Sequence, residues 1–218
     1  MSAGMIMLKN RDEWLKKRES YIGGSEASCI IGLNPYMTNV ELWEQKTGRR
    51  QREDIGDKPF VQYGTRAEEH LRELFKLDFP QYEVGYEEHN MWLNRDFPFA
   101  HASLDGWLLE RETGRKGILE IKTTNILQSM QREKWNHRIP DNYFVQVLHY
   151  MMVCEADFAV LKAQLKYDYD GEIFLTTKHY HIEREEVEED IRYLEMKEQQ
   201  FVEYIRRDEC PPLTLPEI

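Results

Sequence analysis

The sequence predicts one mixed α/β domain, with a central mixed β-sheet flanked by helices and an N-terminal helical segment ahead of it. Three observations carry this. The first third reads as helices closed by Gly and Pro stop signals, and the middle alternates apolar and polar residues between turn signals. The last third holds a strand pair followed by a long helix. No repeat, low-complexity tract or Gly/Ser linker interrupts the chain, so residues 1–218 are expected to form a single domain.

The elements follow in order. Helical segments run from Asn10 to about Lys17, from Ser25 to Ile31 with Gly32 and Pro35 beyond, and from Asn39 to Lys46 before Gly48. A longer helix covers about Pro59 to Leu77. Glu83 to Leu93, Ala100 to Glu110 and Gly117 to Thr123 read as strands of a meander, separated by turn signals such as Thr113-Gly114. A helix from Asn142 to Val153, rich in aromatics and Met, is expected to be buried on one side. Phe158 to Tyr167 and Glu172 to Ile182 pair through the turn Asp168-Tyr169-Asp170-Gly171. The last helix, Arg184 to Arg207, sets Val187, Ile191, Leu194, Phe201 and Ile205 on one stripe broken by Glu198, and Pro211-Pro212 follow it.

Composition excludes several classes. At 41% hydrophobic and 32% charged residues with five Trp, the chain is too rich in apolar and aromatic groups for a disordered protein. It holds no run of about 18 apolar residues, and Met1 to Lys9 lack the succession of a signal peptide, so a cytosolic protein without a membrane segment is expected. Cys29, Cys154 and Cys210 are odd in number and widely spaced, which suits neither a disulfide framework nor a zinc site. A net charge of −11 argues against nonspecific coating of nucleic acid. Much of the acid lies between Glu183 and Glu203, however, which leaves room for a local basic groove elsewhere.

The chemistry concentrates at Leu119-Glu120-Ile121-Lys122, with Asp105 on the preceding strand. Strand alternation sends Glu120 and Lys122 to one face and Leu119 and Ile121 to the other. Asp105 and Glu120 together offer hard oxygen ligands of the kind that suit Mg²⁺, with Mn²⁺ as a substitute. Such a metal stabilises charge on a phosphodiester undergoing hydrolysis and lowers the pKa of a bound water, which Lys122 would position or help activate. A surface salt bridge on an edge strand fits the same tetrapeptide equally well.

Asp105 followed by Glu120-Ile121-Lys122 resembles the core of the PD-(D/E)XK nuclease superfamily, with Leu104 where that name has proline. Gln146-Val147-Leu148-His149-Tyr150 is similar to the Q-x-x-x-Y element of its recombination nucleases. Arg18, then Ile22-Gly23-Gly24-Ser25-Glu26-Ala27, Gly32-Leu33-Asn34-Pro35-Tyr36 and Leu42-Trp43-Glu44-Gln45-Lys46-Thr47-Gly48 resemble the opening of the YqaJ-like viral recombinases, the group of phage lambda exonuclease. Gly64-Thr65-Arg66-Ala67-Glu68 is similar to the G-x-x-x-E helix of that group.

The resemblance implies a restriction-endonuclease-like core and a 5′→3′ exonuclease acting on linear double-stranded DNA. It implies Asp105, Glu120 and the Ile121 carbonyl as metal ligands, Glu68 as a further acidic group at the metals, Lys122 as catalytic lysine and Gln146 in the active-site network, with Tyr150 in support. Arg18, Ser25 and Ser103 would hold the terminal 5′-phosphate. Also implied are a ring-shaped homotrimer, a phage-type single-strand annealing protein as partner, and a phage or prophage origin in a bacterial host. Locally, Ser103 lies two residues before Asp105, hence on the same strand face, and Ser25 sits at a helix start where backbone N–H groups favour an anion or where it is a plain N-cap.

Other residues carry blander readings. Gly23-Gly24 fit a phosphate-cradling turn or a merely flexible one. Glu68, beside Glu69, Arg66 and Arg72, reads without the resemblance as a solvated charge. His149 and Tyr150 read as core packing, His101 as a bystander, and His179 and His181 as alternating strand residues without an acidic partner. A structure-specific endonuclease, a single-strand exonuclease and a noncatalytic DNA-end-binding scaffold are the competing functions. The Asp105, Glu120 and Lys122 set argues against the last.

Overall fold

The computed structural model of the chain describes residues 2–53 and 55–215. Two mixed sheets are flanked by helices. The first has the order β1 (Ala3–Met7), β4 (Asn90–Asn94), β5 (Ala100–Ala102), β2 (Ile22–Gly23). The second has the order β3 (Tyr82–Gly85), β6 (Gly106–Glu110), β7 (Lys116–Ile126), β8 (Phe158–Tyr169), β9 (Glu172–Glu183). The helices are α1 (Arg11–Glu19), α2 (Gly24–Ile30), α3 (Asn39–Lys46), α4 (Pro59–Asp78), α5 (Ser129–Glu133), α6 (Asp141–Cys154) and α7 (Arg184–Arg207).

The strand β7 is central to the second sheet and covered on both faces. It pairs antiparallel with β6 up to Gly106↔Leu119 and parallel with β8 from Gly117↔Phe158 to Ile126↔Tyr167. A parallel pair needs a crossover, and α5 and α6 supply it. Below the sheet, α4 buries Leu71 and Phe75 against Leu119, Ile121, Phe158 and Val160. Above it, α6 and α7 pack Val147, Met151, Ile191 and Leu194 over Ile118, Leu161 and Leu165. Gly64 allows the close approach of α4 to β7, since a Cβ there would sit 3.2 Å from the Thr123 hydroxyl.

Several expectations need correction. Glu83–Leu93 is not one strand but two, β3 and β4, in different sheets; Ala100–Glu110 likewise divides into β5 and β6. The antiparallel order of the meander survives in pieces: β4 pairs with β5 in the first sheet, β3 with β6 in the second, and the β6–β7 hairpin follows. The break in the second segment falls at Ser103–Asp105, which lie outside any strand, so the expected strand face shared by Ser103 and Asp105 does not exist. Alternation reads the same through a chain that leaves one sheet and enters the next, and only the pairing partners distinguish the two cases. The N-terminal third is also not wholly helical: β1 and β2 complete the first sheet. The short α5 was not anticipated; behind it Trp135 is buried and stacks on Tyr143.

Candidate active site

An open cleft of about 690 Å³ lies between α1, α2, α4, the Ser103–Asp105 crossover, β7 and α6. Arg18, Ser25, Glu68, Ser103, Asp105, Glu120, Ile121, Lys122, Gln146 and Tyr150 all line it. These residues span more than 130 positions of sequence and come from six separate parts of the fold, so their convergence is a tertiary fact.

The floor is built on β7. Glu120 and Lys122 share a face, as alternation requires, but they form no surface pair: Glu120 is 2% exposed, and its Oε1 accepts from Lys122 Nζ at 2.6 Å. Gln146, one helical face along α6, closes a ring with both. Its Nε2 donates to Glu120 Oε1 at 2.8 Å and contacts the Tyr150 hydroxyl at 3.0 Å, while its Oε1 accepts from Lys122 Nζ at 3.0 Å. The i, i+4 spacing of Gln146 and Tyr150 places both on the side of α6 that faces β7. Glu120 Oε2 is buried and has no hydrogen-bond partner.

The crossover brings in Asp105. Beyond Leu119 the β6 edge of β7 has no strand beside it, and the Asp105 carboxylate takes the vacated place by accepting the Ile121 N–H at 2.8 Å. Two residues that the sequence reading missed fix this segment. Asn90 clamps Leu104 through both halves of its amide, accepting from its N–H and donating to its carbonyl, each at 2.9 Å. Arg72 donates to the Asp105 carbonyl at 2.7 Å and lies 3.6 Å from the centre of the Tyr86 ring. Arg72 is 6% exposed; its spacing of one helical turn from Glu68 was the available signal.

The charges of the floor are under stress. Burial, then repulsion from Asp105 and Glu120, pushes the Glu68 carboxyl up to about 8. Burial, eased by Lys122 and reinforced by Asp105, pushes Glu120 up to about 8. Asp105 is raised by burial despite Lys122 and its bond to Ile121. For Lys122, burial disfavours the ammonium, yet the Glu120 and Asp105 carboxylates outweigh it and raise its pKa, so it is held as a cation. Three carboxyls face one ammonium, and further positive charge is what the cluster lacks. Among the described residues no three His, Cys, Asp or Glu side chains already stand in a metal-ligand arrangement.

Around the floor the cleft wall carries Arg11, Arg18 and Arg52 with Ser25 and Ser103, and also Glu19, Glu53 and Glu88. Arg18 lies over the Trp14 ring at 4.2 Å, its Nε is buried without a partner, and Trp14 Nε1 donates to Ser103 Oγ and to the Asn90 carbonyl at 3.2 Å each. Gly23 and Gly24 serve packing: a Cβ on Gly24 would collide with the Tyr150 ring, and one on Gly23 would meet His101 Nε2 at 2.8 Å. His149 is not simple core packing. Its Nδ1 faces Glu198 Oε1 at 2.7 Å and its Nε2 faces the His101 carbonyl at 2.9 Å. His101 is buried, with its pKa held well below the usual value by burial and the Arg18 charge.

Comparison with known proteins identifies the family and the fold. Residues 13–157 match the YqaJ-like viral recombinase domain. The uncharacterized protein YqaJ of Bacillus subtilis (strain 168) is 33% identical over 165 residues, covering 72% of this chain and 49% of that protein, so the chain spans about half the length of this curated relative. The fold is similar to the alkaline exonuclease LHK-Exo of Laribacter hongkongensis, with a TM-score of 0.64 at 18% identity over 91% of this chain and 94% of that one. It is also similar to a phage-related exonuclease of Haemophilus somnus 129PT, with a TM-score of 0.52 at 15% identity over 86% and 96% of the two chains. With two thirds of its length inside the family's pattern, the chain belongs to the YqaJ-like viral recombinase domain family.

Proposed function

We propose that the cleft hydrolyses phosphodiester bonds of linear double-stranded DNA, working 5′→3′ from 5′-phosphorylated ends and leaving 3′ single strands. The observation that carries this reading is the meeting, in one cleft, of a buried carboxylate floor short of positive charge with the Arg18 guanidinium, Ser25 and Ser103. The buried, unpartnered Glu120 Oε2 and the hard oxygens of Asp105, Glu68 and the Ile121 carbonyl fit Mg²⁺, or Mn²⁺ in its place. When bound, such an ion lowers the pKa of water and offsets charge developing on the scissile phosphate.

The chain's own residues supply the rest. Arg18, Ser25 and Ser103 hold the terminal phosphate at the mouth, which sets the next diester over the floor. Lys122, whose ammonium is favoured by Glu120 and Asp105, acts as a hydrogen-bond donor that orients the attacking water and stabilises phosphate oxygens. Gln146 fixes Glu120 and Lys122 relative to each other, and Tyr150 holds Gln146. Assembly as a ring of three copies and transfer of the 3′ strand to a phage-type annealing protein belong to the same reading, as does a site of action in a bacterial host cell.

The test digests linear duplexes bearing 5′-phosphate or 5′-hydroxyl ends, with and without Mg²⁺ or Mn²⁺, beside a closed circle and the Lys122→Ala variant. Metal-dependent loss of the 5′-phosphorylated linear DNA, slowed at least about 100-fold in Lys122→Ala, is expected. Cleavage of the circle would point to an endonuclease, and no cleavage at all to a DNA-end-binding scaffold.

A further inference from the structure

Glu26 is a buried carboxylate that this mechanism leaves unused. At 6% exposure it accepts the Gly23 N–H at 3.0 Å, pairs with Lys46 Nζ at 2.8 Å and faces Arg52 at 3.6 Å. The Lys46 side chain is 9% exposed and also donates to the Tyr21 carbonyl at 2.6 Å. Glu26 thus ties three separate parts of the chain together: the turn that carries Ser25, the helix α3, and the segment after α3 that carries Arg52. Two cations on one carboxylate leave a local surplus of positive charge, and the half-exposed partner, Arg52, lines the cleft mouth with Arg18 and Ser25.

The guanidiniums of Arg18 and Arg52 act on each other. Arg18 is held below its usual pKa by burial, with Arg52 and Arg11 adding to the effect and Tyr150 and Glu26 opposing it. Of the acids on the same cleft wall, Glu53 is engaged by Lys58 at 2.7 Å, and Glu19 and Glu88 stand there as well. Two mutually repelling guanidiniums are matched by an anion that carries two charges. A phosphomonoester carries about −1.5 to −2 at neutral pH. Each internal diester carries one negative charge.

We propose that Arg52, fixed by the positioning residue Glu26, is the specificity-determining residue that makes the cleft mouth select a terminal 5′-phosphomonoester over a hydroxyl end or an internal diester. This rests on the reading of the cleft as a DNA-end site. The test measures, in chelator-containing buffer, the dissociation constants of short duplexes ending in 5′-phosphate or 5′-hydroxyl for wild type, Arg52→Gln, Glu26→Gln and Arg18→Gln. Wild type is expected to prefer the phosphorylated end, and Arg52→Gln to cut that preference about tenfold. Below about pH 6, where the monoester dianion takes up one proton and keeps a single charge, the wild-type preference is expected to fall to that of Arg52→Gln. Glu26→Gln shifts the ratio in the same direction, but its burial puts folding at risk, so the half-exposed Arg52 carries the test. An Arg52→Gln ratio equal to wild type, beside a collapsed ratio in Arg18→Gln, would overturn the role of Arg52 while leaving the phosphate pocket standing. A wild type that prefers neither end, with Arg18→Gln unchanged, would remove the end-site reading and the inference with it.

Discussion

At the scale of single residues, the cleft floor sets function against stability. Glu68 is half-buried, and burial with the repulsion of Asp105 and Glu120 raises its pKa to about 8. An acid whose folded pKa lies above its unfolded value destabilises the fold once the pH passes the unfolded value, and the penalty is complete above the folded one. Glu68→Gln is therefore expected to stabilise the metal-free protein above pH 8, by on the order of 1 kcal/mol after allowance for solvent screening, or a few degrees in Tm. The gain should vanish as pH falls towards the ordinary carboxylate range, and thermal melts in chelator across pH 5 to 9 measure it. The same variant is expected to weaken Mg²⁺ binding and slow digestion. For the wild type, protons held on Glu68 and Glu120 up to about pH 8 compete with the ion, so the half-saturating Mg²⁺ concentration should fall as the pH rises from 6 to 9.

At the scale of elements, α6 does most of the positioning. One side carries Gln146 and Tyr150 to β7, and Gly24 of α2 meets the Tyr150 ring where any larger residue would collide. Gly24→Ala is expected to displace Tyr150 and Gln146 and to reduce activity at least about tenfold, at a cost of about 1–3 kcal/mol from overpacking. Rates of digestion compared with denaturant midpoints separate the two effects. Another side of α6 presents His149 to α7. Both of its ring nitrogens face acceptors, a carboxylate and a carbonyl, so the imidazolium fits the site. Its pKa is raised because Glu198 and the His101 carbonyl outweigh burial. The stabilisation is complete below the unfolded histidine value near 6.5 and is lost as pH climbs through the raised folded value. Glu198→Ala is expected to cost about 3 kcal/mol near pH 6 and less at pH 9. The apparent interruption of the α7 stripe at Glu198 is thus the point where α7 is pinned to α6 and β5.

At the scale of the whole molecule, the net charge is −11, yet the cleft gathers Arg11, Arg18 and Arg52 beside Glu19, Glu53 and Glu88, while the acidic α7 turns Val187, Ile191, Leu194 and Phe201 inward and most of its carboxylates outward. Duplex-end affinity in metal-free buffer is expected to fall steeply with salt, with a log–log slope of about 2 to 4 for a few phosphates engaged at the mouth. Titrations between 50 and 300 mM salt measure it, and a flat response would remove the mouth as the DNA site. Among the described residues no helix is long and apolar enough to cross a membrane.

The sequence alone set most of the helices, because spacing and stop signals are local: α3 matches its expected bounds and α7 buries Val187, Ile191, Leu194 and Phe201 of its expected stripe, whereas α5 was not expected and α6, expected to be buried on one side, is buried all round from Val145 to Val153. It also determined which residue types stand on each face of β7, since alternation is a property of any strand. Where the chain changes sheets at Ser103–Asp105, and which side chains meet, was left to the tertiary structure. The Asp105 bond to Ile121, the Asn90 clamp on Leu104, the Arg72 bond to Asp105 and the tie of Glu26 to Lys46 and Arg52 join residues that no local pattern relates. Hydrogen bonds and charge pairs of this kind depend on distance in space, and periodicity carries no information about that distance.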